Sequence, residues 1–105
     1  MTKPWHFHVA AFDEMTAAAQ WYEQREPGLG DDFLARIDAA LTELEAMPSI
    51  ATALRGVPEH EGVRRWVVAR FPYQIIWAEL ADEYRILAIA HLRREPGYWL
   101  GRLDE

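Results

Sequence analysis

At 105 residues, half of them apolar and 27% charged, the chain has the size of one domain with one core, and its composition excludes an intrinsically disordered protein. It contains no cysteine, which excludes disulfides and thiolate metal sites and fits a reducing, cytoplasmic setting. A net charge of −6 makes the chain a poor generic binder of nucleic acid, so no sequence-specific DNA binding by this chain alone is expected.

The charge is uneven. Residues 1–54 hold three cations, Lys3, Arg25 and Arg36, against nine acids, whereas residues 55–105 hold eight arginines against eight acids. The first half therefore reads as a solvated helical surface, and the arginines gather in the second. "MTKPWHFHVAAF" lacks the basic flank and apolar run of a secretion signal. No segment approaches the roughly 20 apolar residues that a membrane span needs. Five tryptophans are many for this length and fit a protein built to meet a partner.

Taken in chain order, "WHFHVA" alternates Trp5, Phe7 and Val9 with His6, His8 and Ala10, which predicts a first strand. Asp13 is placed to cap a helix whose apolar stripe is Met15, Ala18, Ala19 and Tyr22. "REPGLG" ends it, with Pro27 suited to the first turn of the next helix. In that second helix Phe33, Ile37, Ala40, Leu41, Leu44 and Met47 recur at helical spacing until Pro48, and Asp31 and Asp32 favour its N-terminus. "PSIATALRGVPEHEG" reads as a connecting loop. Three strand-like runs follow, "VRRWVVARF", "YQIIWAEL" and "YRILAIAHL", separated by breaks short enough for an antiparallel meander. "PGYWLGRLDE" predicts no more than a turn or a frayed helix. The order strand, helix, helix, strand, strand, strand gives a single α+β domain over residues 1–105, with a helical hairpin on one face of an antiparallel sheet.

The meander runs are apolar at most positions, as in strands covered on both sides. Arg65 shares a face with Val63 and Val67, and Arg64 shares the other with Trp66, Val68 and Arg70. With Arg85, His91 and Arg93 also punctuating the strands, the face away from the helices is expected to be an apolar docking surface with an arginine fringe.

Few residues have the spacing that chemistry requires. His6 and His8 are an i, i+2 pair able to chelate a metal, but no further ligand is placed nearby and an exposed strand face accounts for them equally; no metal site is expected. His60, flanked by acids, reads as solvated. Serine and threonine are scarce, so a nucleophilic triad has little raw material. "GLG" does not follow a strand and is no phosphate loop, and Glu43 and Glu45 lie two apart on a helix, where they do not face each other. No cofactor is expected. What remains is "RILAIAHLRREPGYWLGR", Arg85 to Arg102. His91 at the strand end reads either as a backbone-bonded anchor or as part of an anion site with Arg93, Arg94 and Arg102, since guanidinium groups hold phosphate or carboxylate bidentately. A tyrosine nearby could then move protons. Spacing alone leaves both readings open.

The element order, with "GLGDDFLARIDAALTELEAMP", "RRWVVARFPYQIIWAEL", "YRILAIAHLRREPGYW" and the closing Arg102, resembles the RelE/ParE toxin superfamily from about Phe7 to Arg102. The chain looks closest to the ParE-like, plasmid stabilisation branch. The resemblance implies the toxin of a type II toxin–antitoxin module, causing growth inhibition and neutralised by a cognate antitoxin from the adjacent gene. In the RelE-like branch it implies ribosome-dependent mRNA cleavage without a metal; Arg65 and Tyr98 match that branch's positions, Arg93 lies one place off, and a nuclease here would use Arg65, His91, Arg93 and Tyr98. That set is incomplete: Val67, Gln74 and Leu92 occupy places where the family's nucleases carry cations.

On the ParE-like side the resemblance implies a toxin that binds a target, DNA gyrase in that branch, and needs no catalytic residues. The expected target- and antitoxin-binding residues are then Arg64, Arg65, Arg70, Arg93, Arg94, Tyr98, Trp99 and Arg102. The alternatives are the ribosome-dependent endoribonuclease and an inactive chain that only binds its antitoxin. On this reading His91 is a structural anchor.

Overall fold

A computed structural model describes residues 3–50, 52–53 and 62–104. Its elements are β1 (Trp5–Phe7), α1 (Val9–Arg25), α2 (Leu29–Ala46), β2 (Thr52–Ala53), β3 (Val63–Val67), β4 (Tyr73–Glu79) and β5 (Tyr84–His91), with short 3-10 turns at Pro48–Ile50 and Leu100–Leu103. The sheet order is β1-β5-β4-β3-β2. β3 to β5 form the expected antiparallel meander, and Thr52–Ala53, expected to be loop, adds a two-residue edge strand antiparallel to β3. β1 instead joins β5 in parallel, Trp5 beside Tyr84 and Phe7 beside Ile86, so the sheet as a whole is mixed.

The first strand is shorter than its alternation predicts because His8 does two jobs. Its N–H donates to the Ile86 carbonyl at 2.9 Å, completing β1, and its Nδ1 accepts from the Ala10 N–H at 3.0 Å, capping α1. Val9 and Ala10 are therefore already helical, and His8, not Asp13, is the cap. It is also no metal-chelating partner on a strand with His6. The described residues hold no group of three or more His, Asp or Glu placed to take a metal ion.

Between the helices, Gly28 takes a left-handed conformation (φ 91°), which excludes Pro27 from α2. The carboxylate of Glu23 accepts from the Gly28 and Gly30 N–H groups at 3.0 to 3.1 Å. A side-chain anion thus sits at the positive end of α2. A Cβ at position 30 would stand 2.6 Å from the Ala19 carbonyl oxygen, so glycine there lets the hairpin close. "GLG" serves this packing.

The α2 stripe buries Phe33, Ile37, Ala40 and Leu44, while Met47 falls past the last turn and is exposed. With Ala11, Ala18, Val68, Ile75, Trp77, Ile86 and Ile89 they form the core between hairpin and sheet. Each large side chain buried there contributes about 1.5–3 kcal/mol. The β3 run ends at Val67, four residues short of Phe71 where the predicted run ends, because the Val68 N–H bonds to the Tyr73 carbonyl and the chain turns through Arg70 at φ 71°.

The opposite face has its own core, Val63, Ile76, Ala78, Leu87, Ala88, Ala90 and Trp99, flanked by Tyr98, Leu100 and Leu103. This corrects the expectation of an open docking face: the C-terminal tail folds back over it. Arg85, on this face beside Ala78, donates from Nη1 to the Arg102 and Leu103 carbonyls at 3.1 and 3.0 Å. Its Nε bonds Glu83 at 3.2 Å. Arg85 therefore satisfies carbonyls that a short 3-10 end leaves without intrahelical donors.

Candidate functional site

The residues singled out in the sequence divide among four places. Arg64 lies on the helix-side face across from Trp77. Arg65 lies on the tail-side face across from Ile76. Arg70 sits in the β3–β4 turn. The others meet where β5 runs into the tail. His60 lies outside the described residues.

That meeting place is built on a stretch of β5 whose outer edge pairs with no strand among the described residues. β1 pairs with β5 only as far as Ile86, and the β4–β5 register then skips Leu87. The irregularity turns the Leu87 carbonyl and the Ile89 N–H toward the uncovered edge, where unpaired groups would invite another strand. Two side chains occupy them. Glu14 of α1 accepts the Ile89 N–H at 3.1 Å through Oε1, and Arg102 Nη1 donates to the Leu87 carbonyl at 2.8 Å. Arg102 also grips Glu14 bidentately, with both nitrogen–oxygen distances 3.0 Å. The pair is mostly buried, so its charge-assisted bonds act in a low dielectric. Helix, sheet and tail are locked at one point.

Tyr98 packs against this lock. The Arg94 guanidinium lies 3.8 Å from its ring centre and that of Arg102 5.1 Å, both within cation–π range. Its hydroxyl is buried without a hydrogen bond of standard geometry. Glu14 is near enough to bias the phenolic proton, yet both carboxylate oxygens are already engaged by Arg102, one of them also by the Ile89 amide. Burial first, and then the Glu14 charge, push the Tyr98 pKa up to about 12, against the opposing pull of Arg94 and Arg102. Tyr73 is raised by burial and then by Tyr22 and Glu14, and Tyr22 by burial. All three phenols remain protonated donors at neutral pH.

These groups line a cleft of about 570 Å³ with Trp21, Tyr22, Tyr73 and Ile89 as its apolar walls and His91 and Arg94 among its polar groups. His91 Nδ1 accepts the Arg93 N–H at 3.1 Å, and its ring meets Tyr73 edge-on at 5.2 Å. The imidazole therefore holds the turn after β5. Arg93 itself is exposed. Trp99 is 2% exposed within the tail-side core, so it is a packing residue and not a contact surface.

Arg65 is not brought to His91. It belongs to the tail-side face, two strands from β5 and about 10 Å across the sheet, whereas His91 packs on Tyr73 of the helix side. Glu14 and Trp21 escaped the sequence reading. The signal for Glu14 was present: it is an acid inside an apolar stripe, three residues after Ala11 and four before Ala18, both buried. Trp21, by contrast, stood outside the stripe and is half exposed.

No protein-family model matches the chain, and no curated protein matches it significantly. A solved structure described as the chromosomal ParDE TA system from P. aeruginosa matches with a TM-score of 0.73 and 20% identity, over 85% of this chain and 95% of that one. Likeness at this identity speaks to architecture: this α+β chain, with its helical hairpin on a mixed sheet, shares the fold of that ParDE structure.

Proposed function

We propose that the chain is the toxin of a type II toxin–antitoxin module, ParE-like, which acts by binding a cellular target and is neutralised by an antitoxin encoded beside it. On this reading the target is DNA gyrase. The observation that carries it is the shared fold with the ParDE structure across nearly the whole of both chains.

The site geometry favours binding over cleavage. A metal-free nuclease needs its cations and proton carriers around one phosphate. Here Arg65 and His91 lie on opposite sheet faces, Arg102 is spent on Glu14, and Tyr98 holds its proton up to about pH 12. The cleft beside Tyr98 offers aromatic walls and protonated phenols, which suit an apolar anchor from a partner with a hydrogen-bond acceptor beside it.

The test is expression of the chain alone and together with the adjacent reading frame. Growth arrest by the chain alone, relief by its neighbour, and loss of gyrase supercoiling with the purified chain are the expected results. Normal growth with abundant folded protein would remove the toxin reading. Arrest without gyrase inhibition would remove the named target.

A further inference from the structure

A second cleft, of about 470 Å³, lies on the other side of the β3–β4 turn, against α2. Its floor is apolar, from Leu29, Ala35, Ala39 and Phe71. Arg36 of α2 and Arg70 of the turn line it together with Asp32. Among the described residues neither arginine makes a hydrogen bond, ion pair or ring contact. This is unusual for the hairpin. Of the three cations in the first half of the chain, Lys3 is paired with Glu79 at 2.6 Å and Arg25 lies over Trp21 at 4.1 Å. Only Arg36 is left unengaged.

Arg70 adds a conformational observation. Its φ of 71° makes it the one non-glycine with a left-handed backbone among the described residues. The turn requires that conformation, but glycine or asparagine would adopt it with less strain. A long cation at this position is held beside Arg36 at a cost in local stability.

The charges of the cleft select its ligand. Two guanidinium groups and one carboxylate leave a single positive charge, which a monoanion neutralises and a phosphate dianion overshoots. A planar carboxylate fits the guanidinium fork. Asp32, Ala35, Ala39 and Arg70 of its lining are exposed, so the cleft does not enclose a small molecule as pockets for free ligands do, and a side chain presented by a larger partner suits it better. We propose that this cleft receives one carboxylate side chain of an acidic peptide segment, with a neighbouring aliphatic residue seated on Leu29, Ala35, Ala39 and Phe71. The site names a chemistry and stands independently of the toxin reading. The rest of an acidic chain repels such a segment, which directs it here.

The experiment is NMR of the full chain, following the arginine Nε–H signals and the Phe71 amide. The probes are an acetylated, amidated Leu-Glu-Leu peptide, the same peptide with Gln for Glu, and inorganic phosphate. The Glu peptide should give saturable shifts at Arg36, Arg70 and Phe71. Binding should weaken by about tenfold or more with the Gln peptide, and likewise in Arg36→Gln and Arg70→Asn. Asparagine keeps the left-handed turn, so Arg70→Asn removes the guanidinium without disturbing the backbone. Asp32→Asn should tighten the Glu peptide. No saturable shift, equal binding of the Gln peptide, or tighter binding of phosphate than of the Glu peptide to the unaltered chain would each overturn the proposal. The Gln-peptide comparison decides it even where a variant does not fold.

Discussion

The helical hairpin and the C-terminal tail cover opposite faces of one sheet by different means. The hairpin brings two long helices, 17 and 18 residues, and its cover is distributed over many buried side chains such as Phe33, Ile37 and Leu44. The tail brings Trp99 and a four-residue turn, and depends on a few polar clasps: Arg85 on two carbonyls, and Arg102 on Glu14 and Leu87. Apolar burial spread over many residues degrades gradually when one is altered. A clasp fails as a unit, so the tail is where local opening should cost least. The candidate cleft at Tyr98 lies where the two covers meet, with Trp21 and Tyr22 of the hairpin on one side and Tyr98 of the tail on the other.

Substitutions on the two covers should separate them. Phe33→Ala, at a fully buried helix-side position, should cost about 3–5 kcal/mol and lower the urea midpoint for the whole molecule. Glu14→Gln breaks the clasp and leaves Arg102 without its carboxylate. As the pair is mostly but not wholly buried, roughly 2–3 kcal/mol is expected, with faster hydrogen exchange at the Ile89 amide. Arg85→Met should cost about 1–3 kcal/mol. Its signature is regional: amides of the tail from Trp99 onward should exchange faster while those of Ile37 and Leu44 keep their protection. Equal loss on both faces would contradict a separately fastened tail.

The smallest effect concerns Tyr98. Its hydroxyl has no standard hydrogen bond, so Tyr98→Phe should be close to neutral at pH 7. The pH dependence is the sharper readout. A phenol whose folded pKa is raised from 10 to about 12 holds its proton more tightly when folded. Its contribution is fully present below pH 10 and is lost as the pH rises from 10 to 12. Stability measured by denaturation across that window should fall less steeply in Tyr98→Phe. Some slope should remain, because Tyr22 and Tyr73 are raised in the same direction.

The helices and the meander were legible because their signals are local. Phe33, Ile37, Ala40 and Leu44 face one way at helical spacing whatever surrounds them, and the strand runs carry their own breaks. What escaped depends on partners distant in sequence. His8 ends a strand and caps a helix only because Ile86 lies beside it. The tail read as no more than a turn or a frayed helix, with no sign that it covers the sheet, because nothing near it shows that Arg85, 17 and 18 residues earlier, will hold its carbonyls. Trp99 read as a contact residue from its place beside Tyr98, yet the fold turns it inward. Strand alternation already placed Arg64 and Arg65 on opposite faces, as the structure has them, but nothing near Arg102 showed that it would be taken up by Glu14. A cluster of cations near the end of a chain is therefore not yet a site.

The division between binding and cleavage is tested most directly by mapping the 5′ ends of ribosome-bound mRNA in cells expressing this chain. Intact messages, in the unaltered chain and in Tyr98→Phe alike, are expected of a protein that acts by occupying a partner. Cleavage within the message that disappears in Tyr98→Phe or Arg65→Ala would contradict it.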